Sequence, residues 1–124
     1  MSELTIELAD DRTSFKPGEP MSGRVAWRVD EQPSSAELRL FWYTSGKGTQ
    51  DVGLVTTLPF ASPRAQDQRD FTLPLPREPY SFSGNLISLT WAIELIVEPG
   101  AHVERCELVL SSTGTEVVLG SESA

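Results

Sequence analysis

Apolar and polar residues alternate with a period of two along most of this chain. Leu4, Ile6 and Leu8 interleave with Glu3, Thr5 and Glu7, the pattern of a half-buried strand. Val25, Trp27 and Val29 do the same against Arg24, Ala26, Arg28 and Asp30. Leu38, Leu40 and Trp42 alternate with Glu37 and Arg39, then with the aromatics Phe41 and Tyr43. Asp51 to Leu58 reads as a weaker, glycine-containing strand stopped by Pro59. Phe71 and Leu73 point one way from a short strand ending at Pro74. Ile87, Leu89, Trp91, Ile93, Leu95 and Val97 keep one parity through the longest strand, opposite Ser88, Thr90, Ala92, Glu94 and Ile96. Cys106, Leu108 and Leu110 share a parity, and Val117 to Leu119 makes a last short strand.

The pattern predicts about eight strands, and no segment carries an apolar stripe at helical spacing over three turns. Short strands separated by Gly, Pro, Ser and Asp argue an all-β sandwich, in which each strand buries one face and wets the other. The three Trp all sit on apolar parities, so core positions are expected for them. At 124 residues the chain predicts one domain over residues 1–119 with a polar tail over 120–124.

Two segments carry a more specific pattern. The first is Ser14-Phe15-Lys16-Pro17-Gly18-Glu19-Pro20-Met21-Ser22-Gly23. Pro17 presets φ for the second position of a turn, and Gly18 permits the positive φ that a type II turn requires next. Gly23 is expected to let the following strand start with a tight bend. The second runs from Phe71-Thr72-Leu73-Pro74-Leu75-Pro76 through Pro79-Tyr80-Ser81-Phe82-Ser83-Gly84 into the strand from Ile87. Its prolines lack an N–H, so they end a ladder and stiffen the crossing, and Phe82 is placed to plug the end of the sandwich.

In order and spacing these segments resemble those of arrestin-like domains. The resemblance covers about a third of the chain and implies a two-sheet, antiparallel, immunoglobulin-like sandwich used to bind proteins. Relatives include the receptor-binding arrestins, the retromer cargo-binding subunit and bacterial sporulation-control proteins, none of which works as an enzyme through this domain. Two departures stand out. Those relatives usually join two sandwiches, and this chain has length for one. The arrestins' phosphate-sensing first strand is basic, whereas Leu4 to Asp11 is acidic here.

Charge narrows the partners. A net charge of −8 repels phosphate backbones and anionic lipid heads, so neither nucleic acid nor a membrane surface is expected. No basic n-region with an apolar run opens the chain, and no stretch is long and apolar enough to insert in a membrane, so a cytoplasmic location is expected.

Candidate chemistry is sparse. Cys106 is the single cysteine, read as a small buried hydrophobe. His102, the single histidine, falls in a turn, so no triad and no metal site is expected on it. Gly46-Lys47-Gly48-Thr49 departs from the phosphate-loop pattern and reads as a hairpin loop. Asp10-Asp11 and Asp30-Glu31 are too few for a calcium site, and Glu94 reads as solvent-facing. Neither a catalytic residue, nor a metal ligand, nor a cofactor is expected.

Phe41 and Tyr43 share the outer face with Arg39 and Glu37, and an aromatic–arginine composition is that of interface hot spots. The expected function is a non-enzymatic interaction module. It would bind a protein or peptide through Arg39, Phe41 and Tyr43 or by adding a strand to an open edge, with a homodimer as a natural variant. The alternative is a carbohydrate- or small-ligand-binding sandwich that uses an aromatic such as Trp42 or Tyr43 as a platform.

Overall fold

The alternating segments fold as the period of two requires, each into a strand with one apolar face. The computed structural model describes residues 2–46, 51–77, 81–83, 87–110 and 117–118. Among these the strands are β1 (Glu3–Leu8), β2 (Ser14–Phe15), β3 (Pro20–Arg28), β4 (Ser35–Gly46), β5 (Val52–Pro59), β6 (Gln66–Pro74), β7 (Phe82–Ser83), β8 (Ile87–Glu98), β9 (His102–Leu110) and β10 (Val117–Val118). The expectation of about eight short strands is corrected. Ten form, because β2 and β7 are two-residue pairings that no alternation reveals, while the last short strand expected is β10, and β4 and β8 reach 12 residues each.

The smaller sheet has the order β1-β3-β6 and the larger runs β10-β7-β8-β4-β5, with β9 also paired to β8. The long ladders are antiparallel, as expected; the two-residue pairs β2–β9 and β10–β7 are parallel. Met21, Val25 and Trp27 from β3 and Phe71 and Leu73 from β6 form one wall of the core. Leu38 and Leu40 from β4, Trp91, Ile93, Leu95 and Val97 from β8, and Leu108 and Leu110 from β9 form the other. Each such side chain contributes about 1.5–3 kcal/mol on leaving water. Trp27 and Trp91 are core residues as expected, but Trp42 is only half-buried, because its strand neighbour is the edge strand β5.

The two motif segments meet. Glu19 N–H donates to the Lys16 carbonyl at 3.1 Å and Gly18 has φ +78°, the expected type II turn over Pro17-Gly18. The Glu19 carboxylate closes it from below, accepting the Lys16 N–H at 2.8 Å and both Arg12 guanidinium nitrogens at 2.7 and 2.8 Å. Arg12 in turn lies 4.6 Å over the buried Phe15 ring. Pro20 pairs with Pro74 at the end of β6, Leu75 N–H reaches the Glu19 carbonyl, and Gly18 N–H reaches the Pro76 carbonyl. Gly23 does not start a strand. It lies inside β3 opposite Leu8 and Phe71, where a Cβ would collide with the Glu7 carbonyl of β1, so close backbone approach explains its glycine. Pro79, Gly84 and the side chain of Phe82 lie outside the described residues.

Candidate functional site

Register decides which side chains share the outer face of the large sheet. On β4 the outward residues are Glu37, Arg39, Phe41 and Tyr43, opposite Ile96, Glu94, Ala92 and Thr90 of β8. Glu94 and Ala92 pair in turn with Arg105 and Glu107 of β9, while Phe41 and Tyr43 pair on their other side with Leu54 and Val52 of β5. One four-stranded face therefore carries Val52, Leu54, Phe41, Tyr43, Arg105 and Glu107 together.

Its centre is an aromatic–arginine cluster. The Phe41 and Tyr43 rings lie 6.2 Å apart, and the Arg105 guanidinium sits 5.2 Å from the first and 5.4 Å from the second. Arg105 also donates to Glu94 Oε2 at 3.0 Å, and Tyr43 donates its hydroxyl proton to Glu107 Oε2 at 2.6 Å. That hydrogen bond, more than burial, raises the Tyr43 hydroxyl above its ordinary range. Arg39 is held by Glu37 on its own strand.

The three expected patch residues thus share one face, but in different states. Tyr43 and Arg39 are accessible, while Phe41 is buried beneath Arg105. The arginine that completes the cluster is Arg105, which the sequence reading did not select. Glu94 is outward as expected, yet it is an ion-pair partner of Arg105 rather than a freely solvated acid.

Toward β5 the face turns apolar. Val52 is 67% exposed and Leu54 59%, and Val55 also faces solvent. The ladder explains Val55: Leu40 pairs with Thr56 but Phe41 with Leu54, so Val55 is the extra residue of a β-bulge. On the inner side Trp42 lies over Gly53, leaving no room for a Cβ there.

The outer face of the small sheet is different in kind. Glu3, Thr5, Glu7, Ser22, Arg24, Arg28, Gln68, Asp70 and Thr72 line it, tied by Arg24–Asp70 at 2.7 Å and Ser22–Thr72 at 3.1 Å. A solvated surface needs no more than that.

The other sequence candidates fall elsewhere. Asp10-Asp11 and Asp30-Glu31 lie beyond opposite ends of the β1–β3 pair. Cys106 is half-buried on the inner parity of β9, not fully buried, and desolvation pushes its thiol upward. His102 opens β9, with Ser2 Oγ 3.5 Å from Nε2, long for the hydrogen bond of a nucleophile and its base. Lys47, Gly48 and Thr49 lie outside the described residues, but Thr44 N–H donates to the Asp51 carbonyl at 2.9 Å and closes the β4–β5 hairpin around them. None of the helical segments described is long and apolar enough to cross a membrane.

No family model and no curated protein sequence matches the chain. Among solved structures the chain is similar to Spo0M, a sporulation control protein from Bacillus subtilis, with a TM-score of 0.60 and 16% identity over 89% of this chain and 49% of that one. The chain therefore spans about half the length of Spo0M. It is also similar to a beta-glucosidase from Listeria innocua, with a TM-score of 0.50 and 15% identity over 94% of this chain and 16% of that one. Likeness at these identities is a likeness of fold.

Proposed function

We propose that this chain is an arrestin-like sandwich and acts as a non-enzymatic protein-interaction module. It binds a protein or peptide partner on the outer face of the large sheet and along strand β5. One observation carries the reading: the two outer faces of the sandwich differ. The small sheet presents interlocked polar pairs, whereas the large sheet presents exposed Val52 and Leu54 beside the Phe41, Tyr43 and Arg105 cluster. Aromatic residues and arginine are enriched where interfaces concentrate their binding energy, and apolar side chains beside them are desolvated at little cost. The sandwich fold shared with Spo0M, a sporulation control protein, is compatible with a regulatory binding role.

The test is comparative capture from a lysate with wild type and a Leu54→Lys, Tyr43→Ser double variant. Both positions are accessible, so the variant keeps the fold, checked by circular dichroism. A protein retained by wild type and lost by the variant supports the proposal. Equal retention by both, or no specific retention by wild type, overturns it.

A further inference from the structure

Strand β5 is an edge of the large sheet, and among the described residues it pairs only with β4. Edge strands invite pairing, and proteins blunt them with charge. Here β1 carries Glu3 and Glu7, and β6 carries Asp67, Arg69 and Asp70. Among the described residues, β5 alone of the edge strands longer than two residues has no ionisable side chain.

The free hydrogen-bonding groups of β5 can be assigned. Thr44 N–H bonds the Asp51 carbonyl at one end of the hairpin ladder, and Phe60 N–H bonds the Ala36 carbonyl at the other. Antiparallel ladders alternate bonded and non-bonded pairs. Counting from Asp51, Gly53 turns toward β4 while Val52 and Leu54 turn their N–H and C=O groups outward. Counting from Phe60, Leu58 and Thr56 turn inward, and the bulge at Val55 reconciles the two counts. The outward groups therefore include those of Val52 and Leu54, two residues apart, whose side chains are also the most exposed of the large hydrophobic residues described.

We propose that the occupant of this edge is a second copy of the chain, paired antiparallel through β5 about a two-fold axis at Gly53. This rests on reading β5 and its face as an interaction surface, and it names the partner. The register follows from the inventory of free groups. Centring the axis on Gly53 sets Val52 opposite Leu54 of the second copy and Leu54 opposite Val52 of the second copy. Both pairs are bonded pairs, four hydrogen bonds in all. Centring on Leu54 leaves one bonded pair, because the bulge turns Thr56 back toward β4.

Side chains and charge agree with that register. Val52 and Leu54 of each copy cover one another on the outer face, and the two Phe41–Tyr43–Arg105 clusters join one continuous sheet. The nearest acid along the chain, Asp51 just before β5, lies two residues from the axis, so the two Asp51 residues stand about 14 Å apart at ~3.4 Å per residue, beyond the ~8 Å screening length at physiological salt. A net charge of −8 on each copy opposes the encounter at long range, so salt strengthens the pairing.

The test is solution mass by light scattering over a dilution series, joined to amide exchange by NMR at low and high concentration. The expected mass at high concentration is twice that of the 124-residue chain, falling to one chain on dilution and falling less in high salt. The amides of Val52 and Leu54 gain protection with concentration, while Gly53, bonded to β4, is protected throughout. Leu54→Lys and, separately, Val52→Lys abolish the dimer with the circular dichroism spectrum unchanged. A single-chain mass at every concentration overturns the proposal, as does a dimer that persists in both variants without added protection at Val52 and Leu54. If the chain stays single yet Leu54-dependent capture of a protein succeeds, self-pairing fails and the interaction reading stands.

Discussion

The Tyr43 hydroxyl donates a 2.6 Å hydrogen bond to Glu107 across the intervening strand β8. The two residues are 64 positions apart in the chain, and the bond ties β4 to β9 over the strand between them. It favours the protonated phenol, so the Tyr43 pKa is raised, first by this hydrogen bond and then by desolvation. The contribution to stability is whole below the unfolded value near 10 and is lost as pH rises through the folded value. Titration at 295 nm is expected to show one of the two tyrosines ionising late. Glu107→Gln moves that transition down, and Tyr43→Phe removes it while costing less than about 1 kcal/mol, since the pair is partly exposed.

Acid stability reports on the Pro17-Gly18 turn. Glu19 is lowered to about 2, chiefly by the Arg12 hydrogen bond and then by the Lys16 N–H. Its contribution is therefore present above the ordinary carboxyl value of 4.5 and is lost as pH falls from there toward 2. Glu19→Gln is expected to flatten the fall of Tm across that window. An unchanged acid limb would remove Glu19 from the account.

Asp67 organises the connection between β5 and β6. Its buried carboxylate accepts from Arg69 at 2.9 Å and from the backbone N–H groups of Arg64 and Gln68, while Arg69 reaches on to the Ala61 carbonyl at 2.8 Å. The Arg69 hydrogen bond, set against desolvation, holds the carboxyl well below its usual range. Asp67→Ala leaves an arginine and two amides without an acceptor and is expected to cost about 2–3 kcal/mol in denaturant melts. Asp67→Asn, which keeps one acceptor oxygen, is expected to cost less.

Trp42 and Gly53 form a packing pair across the β4–β5 hairpin. Gly53→Val places a side chain where the indole lies, so the ring must leave. The expected result is a red shift in tryptophan emission and a loss of about 1–3 kcal/mol. An unshifted spectrum would mean that β5 moves instead of Trp42.

Much of this fold was legible in the chain. The alternations at Val25–Trp27, Leu38–Leu40 and Leu89–Val97 name the inward residues, because a strand offers one side chain in two to each face whatever its neighbours are. Pro17-Gly18 announces its turn for an equally local reason: the dihedrals belong to those residues. The outward parity of Phe41, Tyr43, Arg105 and Glu107 was readable in the same way. So was the run of 12 residues, 52–63, without an ionisable side chain.

What the chain by itself determined is therefore each strand's two faces and its stops, since these depend on residues a few positions apart. Only the tertiary structure decided that Arg105, rather than Arg39, covers Phe41, and that Gly23 yields to the Glu7 carbonyl. It also decided that the bulge at Val55 turns Leu54 and Val55 both outward, and that β5 stands at the edge. Those facts depend on which strands lie side by side and in what register. Strand order is settled by the whole set of long-range pairings competing to bury the two apolar faces, and no single segment carries that information.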